Sequence, residues 1–252
     1  MGLQAIKSLV PQNVRRTIGR SIRNAKRAPH PSFGGDFVAE IGSRLQLKPR
    51  IVFDVGAHIG ITALEFSDAF PEATIYAFEP GTDNFRRMKA NLAGTSNVQF
   101  VQLGIADTNS SASLSMDPAH PSMASVAHAA PGGMTETIKL VTLDDYCRAN
   151  AVRKIDVMKI DTEGYEMQAL QGATGLLTDG AIGVIKAELA LDPDSDYHTS
   201  LFEFSSYLHR FGYRLFGFYD QSEDTLSGGP RLRRFDAAFI SKNLACQRGP
   251  SR

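Results

Sequence analysis

The stretch Ile51-Val-Phe-Asp-Val-Gly-Ala-His-Ile-Gly60 decides the fold. A mostly apolar run ends at a glycine-bearing turn, and a helical pattern starts just beyond it. A strand that stops at small residues and feeds a helix is the opening unit of a parallel α/β sheet. Outward from it the same alternation recurs. Strand patterns cover 50–55, 74–78, 98–103, 155–160, 182–189, 213–218 and 235–241, and helix patterns cover 35–45, 61–70, 82–92, 143–150, 165–177 and 200–211. Several strands are near-continuous apolar runs, as burial on both faces of a parallel sheet requires. The order predicts a doubly wound α/β domain with helices on both faces and no internal repeat.

The alternation breaks between residues 108 and 141. Short strands at 113–116 and 137–141 flank an insertion, 117–133, rich in Pro, Ala and Gly. It follows the third strand, near the edge where ligands enter such sheets. It reads equally as a substrate lid or as a surface hairpin.

With 252 residues, 42% hydrophobic and 21% charged, the chain fits one domain with a short appendage and can bury a full core without staples. Cys147 and Cys246 lie far apart and match no CxxC or metal spacing, which fits a reducing, cytoplasmic setting. The six histidines form no HExxH or HxH pattern, which argues against a zinc site. The zero net charge conceals an asymmetry. Residues 1–35 hold Lys7, Arg15, Arg16, Arg20, Arg23, Lys26 and Arg27 and no acid, so the remainder carries about minus seven (0 − 7). Within this arm Val10, Val14, Ile18 and Ile22 recur every four residues, and a breaker-rich linker follows at 28–35. The pattern predicts a basic amphipathic helix, read as a peripheral membrane contact, a targeting segment or a solvated leader. No apolar run is long enough for a membrane span. The expected organisation is an arm and linker at 1–35, one domain at 36–244 and a short tail at 245–252.

Ligands of open α/β sheets bind beyond the carboxyl ends of the strands. The first strand tip offers Asp54, Gly56, Ala57 and Gly60, whose small residues allow close backbone approach. The second offers Glu79, twenty-five residues after Asp54, a carboxylate placed to accept hydrogen bonds from a ribose diol. The third offers Asp107, which can accept from an adenine amine. The turn lacks GxGxxG, and the chain has no GxxxxGK[ST], so nothing grips a pyrophosphate or nucleoside triphosphate. S-adenosylmethionine carries adenosine without phosphate, and its sulfonium is positive. An acidic glycine-turn pocket suits it.

The stretch Lys159-Ile-Asp-Thr-Glu-Gly-Tyr-Glu166 places Asp161, Glu163 and Glu166 within six residues after an apolar run. Glu166 is explained by the dipole of the helix it starts. Asp161 and Glu163 are the first candidates for the base in a methyl transfer, with Glu188 at the end of the fifth strand next. Clustered carboxylates need a countercharge, supplied by Lys159, a cationic ligand or a divalent metal. His58 in the glycine turn is a further basic group, read as hydrogen-bonded within the turn. Tyr197 and His198 are weaker candidates.

These residues resemble the FkbM family of S-adenosylmethionine-dependent methyltransferases from about Ile51 to Lys242. The likeness rests on Phe53-Asp-Val-Gly-Ala-His-Ile-Gly60, Ala77-Phe-Glu-Pro80 and Leu103-Gly-Ile-Ala-Asp107. Its most specific element is Lys159-Ile-Asp-Thr-Glu-Gly-Tyr-Glu-Met-Gln-Ala-Leu-Gln-Gly172, similar to a KIDxEGxE…LxG pattern. The resemblance implies a Rossmann-like class I methyltransferase fold, with a seven-stranded, mostly parallel sheet and an antiparallel last strand. It also implies cofactor contacts at Asp54, Gly56, Glu79 and Asp107, and O-methylation of a hydroxyl group. The acceptor expected is a sugar, glycan or secondary metabolite rather than nucleic acid, for which no base-reading motif is visible. The alternatives are an NAD-dependent Rossmann oxidoreductase and a non-catalytic nucleoside-binding protein.

Overall fold

A computed structural model describes residues 35–117, 120–126, 134–191, 198–224 and 231–246. The basic arm, its membrane reading, most of the 117–133 loop, Tyr197 and the tail beyond 246 lie outside the described residues. Among the described residues no helix is long and apolar enough to cross a membrane.

Seven strands form the main sheet: β1 (Ile51–Val55), β2 (Thr74–Phe78), β3 (Val98–Val101), β8 (Ile155–Ile160), β9 (Ile182–Leu189), β10 (Arg214–Asp224) and β11 (Arg231–Ile240). Their order is β10-β11-β9-β8-β1-β2-β3. The pairs β1–β2, β2–β3, β1–β8 and β8–β9 are parallel. The last strand, β11, slots between β9 and β10 and is antiparallel to both. A seven-stranded, mostly parallel sheet with an antiparallel last strand is what the family resemblance implies.

Every residue of β8 and β9 is buried, because helices cover both faces. Alternate residues Phe53, Val55, Met158, Ile160, Ile185 and Ala187 pack into one core layer. Against them lie Leu143 of α4 (Leu143–Ala149), Leu170 of α5 (Glu166–Gln171) and Phe204 and Leu208 of α7 (Leu201–Arg210). Val52, Val157, Val184 and Ala238 turn to the opposite layer. There they meet Ile41 of α1 (Phe37–Ser43), Phe66 of α2 (Ile61–Ala69) and Met88 of α3 (Thr82–Asn91). The period of two along each strand thus assigns the charged positions as well. Asp54 pairs in register with Lys159, and Lys159 with Lys186, on the same face as the valines.

Two expected elements are broken. The pattern at 98–103 ends at Val101, and the chain then leaves the main sheet as β4 (Gly104–Ile105). The pattern at 165–177 divides into α5 and α6 (Thr174–Thr178). A Cβ on Gly172 would stand 2.0 Å from the Ala106 carbonyl oxygen, so the helix presses directly on the backbone after β4.

Around the insertion lies a second, four-stranded sheet of order β4-β7-β5-β6, built from β4, β5 (Ser110–Asp117), β6 (His120–Ser125) and β7 (Met134–Val141). The strands β5 and β7 are antiparallel and longer than the expected pair at 113–116 and 137–141. Leu114, Ile138 and Leu140 with Ala106 form its own small core, against which Tyr165 packs.

Gly172→Ala forces this backbone contact apart and should destabilise the domain by about 2 kcal/mol, a fall of roughly 4–8 °C in melting temperature. Gly42→Ala meets nothing within 4 Å in helix α1 and should leave the melting temperature unchanged or slightly raised. Equal melting of the two variants by calorimetry would contradict the packing described.

Candidate active site

The carboxyl ends of β1, β2 and β8 open into a cavity of about 350 Å³, within the range of small-molecule sites. Its polar wall includes Gly56, His58, Glu79, Asp161, Thr162 and Glu163. Leu114, Val126, Ile138 and Leu140 of the small sheet form an apolar wall. The strands that flank the insertion, β5 and β7, thus give apolar side chains to the cavity wall.

The glycine turn is held in a left-handed conformation. Gly56 has φ +78°, and a Cβ there would lie 1.8 Å from the Asp161 carbonyl oxygen. The turns after β1 and β8 thus touch backbone to backbone, which glycine alone permits. His58, at φ 51°, turns its N–H onto Glu79 Oε2 at 2.9 Å. The Gly81 N–H donates to Oε1 of the same carboxylate at 2.9 Å. Two backbone donors therefore aim Glu79 at the cavity. Burial pushes its carboxyl up to about 7, against the pull of these two bonds. The His58 imidazole is held below its ordinary value, first by burial and then by the charge of Arg87.

Behind the cavity lies a buried charge pair and its neighbour. Lys159 Nζ stands 3.4 Å from Asp54 Oδ1 and 3.1 Å from Asp161 Oδ2, and it donates to the Gly56 carbonyl at 3.3 Å. Burial opposes the charge on Lys159, but Asp161 and Asp54 outweigh it and raise the ammonium's pKa. For Asp161 burial acts upward, yet Lys159 prevails and holds the carboxyl below its usual range. Fully buried Asp54 goes the other way: burial raises its carboxyl and Lys159 only partly compensates.

The acidic turn is closed by Glu166, which is 1% exposed. Its Oε1 accepts from the Thr162 N–H at 3.0 Å, the Thr162 hydroxyl at 3.2 Å and the Gly164 N–H at 3.0 Å. Its Oε2 accepts from the Thr199 hydroxyl at 2.8 Å. This lattice holds Glu163 at φ 53° and Gly164 at φ 97°, a strained non-glycine conformation at the cavity edge. The Ser125 hydroxyl, from the small sheet, donates to the Glu163 carbonyl at 2.7 Å. Burial, then the Asp161 and Glu188 carboxylates, push the Glu163 carboxyl up to about 7.

Glu188, expected as an exposed strand-end acid or a partner across the crevice, is buried. Arg234 pairs with its Oε1, and His198 Nε2 lies 3.2 Å from its Oε2. The antiparallel register sets Asp236 opposite Glu188, and Arg234 stands two residues before Asp236 on the same strand.

Gly56, Glu79, Asp161 and Glu163 thus meet around one cavity, with His58 and His198 beside them. Asp54 reaches that cavity through Lys159. Ala57 and Gly60 shape the turn from inside: Ala57 packs in the core, and a Cβ on Gly60 would strike Leu92. Asp107 is exposed in the turn after β4 and is not part of the cavity lining. Arg234, Thr199 and Ser125 were not legible as site residues. Each arrives through strand pairing or a long loop, and no local motif marks it.

The family description "Methyltransferase FkbM domain" matches residues 54–215, or 162 of the 252 residues. The chain belongs to the FkbM methyltransferase family. It is 29% identical over 143 residues to the hexuronic acid methyltransferase AglP of Haloferax volcanii, covering 57% of this chain and 58% of that protein. It is also 29% identical over 142 residues to Methyltransferase 1 of Beauveria bassiana, covering 48% and 57% respectively. The matches span less than two thirds of either relative. S-adenosylmethionine is the cofactor that FkbM membership supports, and the Glu79 cradle and phosphate-free glycine turn fit it.

Glu166→Ala strips the acceptor from Thr162, Gly164 and Thr199 together. It should cost about 3 kcal/mol, lowering the melting temperature by roughly 6–12 °C, with Glu166→Gln less damaging. An unchanged melting curve for the alanine variant would show that the turn is held by something else.

Proposed function

We propose that this FkbM protein transfers a methyl group from S-adenosylmethionine to a hydroxyl oxygen of a sugar, glycan or secondary metabolite. The observation that carries this is the union, in one cavity, of the Glu79 cradle with the ionisable pair Asp161 and Glu163. A sugar-type acceptor draws support from the printed name of AglP, a hexuronic acid methyltransferase. We place the reaction in the cytoplasm, with no nucleic acid as partner.

When bound, S-adenosylmethionine supplies an electrophilic methyl carbon: its C–S bond breaks, the electron pair stays on sulfur, and a C–O bond forms. The chain's own residues do the rest. Glu79, aimed by two N–H donors, accepts from the ribose hydroxyls. Gly56 keeps the β1 turn bare so that the ligand can approach. Asp161 and Glu163 face the acceptor, and its hydroxyl proton passes to one of them. The apolar wall from Leu114, Ile138 and Leu140 excludes water, so orientation and desolvation supply most of the acceleration. Asp54 and Lys159 are positioning residues that hold the Asp161 and Gly56 turns together.

Scanning calorimetry separates this from the oxidoreductase alternative. S-adenosylhomocysteine should raise the melting temperature and NAD should not; the reverse would end the proposal. Once an acceptor is found by mass spectrometry, Asp161→Asn and Glu163→Gln should each lower kcat by about 10²–10⁴-fold, and unimpaired turnover would remove them from the site.

The affinity for S-adenosylhomocysteine should also depend on pH. Ionised Glu79 offers both oxygens to the ribose, whereas its protonated form surrenders one. With its carboxyl raised to about 7, affinity is full above that value and lost as pH falls through it. Calorimetric titration should show several-fold weaker binding at pH 6 than at pH 8. That slope should be flattened in Glu79→Gln.

A further inference from the structure

The stretch around Glu188 contains a group that the proposed cofactor contacts do not use. Glu163, Glu188 and His198 each offer one ligating atom, and these atoms lie within 4.8 Å of one another. His198 is 9% exposed, and neither its Nε2 nor Glu188 Oε2 makes a hydrogen bond among the described residues. Those two atoms face each other at 3.2 Å. Two ligands bound to one ion at about 2.0–2.2 Å each sit roughly 3–4 Å apart. An imidazole and a carboxylate at this spacing, without a hydrogen bond between them, have the geometry of neighbouring ligands.

The surroundings match. Arg234 takes Glu188 Oε1 and leaves Oε2 toward His198, as an outer-shell partner orients a ligating carboxylate. Glu163 is presented from a left-handed turn fixed by Glu166 and Ser125. Glu163 and His198 both line the cavity, so an ion held here keeps an open coordination face toward a ligand. Three protein ligands with an open position is the pattern of catalytic rather than structural cations.

We propose that Glu163, Glu188 and His198 bind one divalent first-row transition cation at the wall of the cavity. One nitrogen and two carboxylate oxygens favour Mn²⁺, Co²⁺ or Zn²⁺ over Mg²⁺, which prefers all-oxygen ligation. No sequence motif announces the site, because its ligands come from a turn, a strand end and the segment before α7. The absence of HExxH and HxH excludes only sites contained in a single stretch.

The role of the ion rests on the methyl-transfer reading above. An acceptor hydroxyl bound on the open face becomes more acidic. Held by Glu163, Glu188 and His198, the ion would ease loss of that proton to Asp161 as the acceptor oxygen forms its C–O bond and the methyl C–S bond breaks with its electron pair left on sulfur. Asp161 is suited to this because it lines the cavity outside the ligand set.

The test uses the full chain, freed of metal by chelation and carrying no histidine tag. Calorimetric titration with Mn²⁺ should give one site per chain, with Mg²⁺ at least tenfold weaker. His198→Gln and Glu163→Gln should each weaken Mn²⁺ binding at least tenfold while their melting curves show a folded protein. Should either variant fail to fold, Co²⁺ added to the wild type still reads the site. Visible bands of a low-coordinate ion with nitrogen ligation support it, and the spectrum of the hexaaqua ion overturns it. No stoichiometric Mn²⁺, or equal binding by wild type and variants, also overturns the proposal. The two readings separate cleanly. Binding of S-adenosylhomocysteine without Mn²⁺ sinks the cation site alone, and binding of Mn²⁺ without S-adenosylhomocysteine sinks the methyl-transfer reading alone.

Discussion

The buried ammonium of Lys159 is the constraint on which the site depends. It bridges Asp54 at the end of β1 and Asp161 at the end of β8 and also holds the Gly56 carbonyl. A charge this deep is costly in isolation and is tolerated because two carboxylates flank it. Removing one member leaves the others uncompensated, so all three hold or fail together. The consequence is geometric. Two turns from distant parts of the chain are drawn into contact close enough that Gly56 has no room for a Cβ. The cavity opens where they meet.

Charge continues across the same face of the sheet. Lys186 pairs with Asp236 at 2.6 Å and with Asp220 at 3.1 Å, and Arg234 pairs with Glu188. Each cation of this layer answers an acid on an adjacent strand, so the polar layer also specifies strand register. A slip of one residue would turn these side chains into the opposite, apolar layer. Stability and the site therefore share one set of side chains. Asp54 illustrates the overlap. Its place at the first strand tip fits a cofactor contact, while the distances show it acting on the cavity through Lys159.

The insertion shows what periodicity alone leaves open. Residues 108–141 break the strand–helix rhythm, and their sequence fits a lid and a surface hairpin equally. Gly104, Leu114, Ile138 and Leu140 pack together in a second sheet and line the cavity. Short alternating strands carry little information about which sheet they join, because their partners are chosen by contacts far along the chain. The helix pattern at 166–178 is also divided in the fold. Its pattern is continuous, but the backbone of Ala106 presses on Gly172.

By itself the sequence determined the element order, the parallel sheet with both faces covered, and the residues at the strand tips. These depend on local patterns of apolar spacing and on glycine turns, which the backbone period translates directly into position. It also contained the acidic turn, with Asp161 and Glu163 already side by side in the chain. Tertiary structure decided the rest. It joined Glu188, His198 and Arg234 to that turn, set Asp107 out at an exposed position and brought Leu114, Ile138 and Leu140 to the cavity wall. The physical reason is that such neighbours meet only through strand register and loop packing. Those contacts depend on the whole buried charge layer rather than on any one stretch of residues.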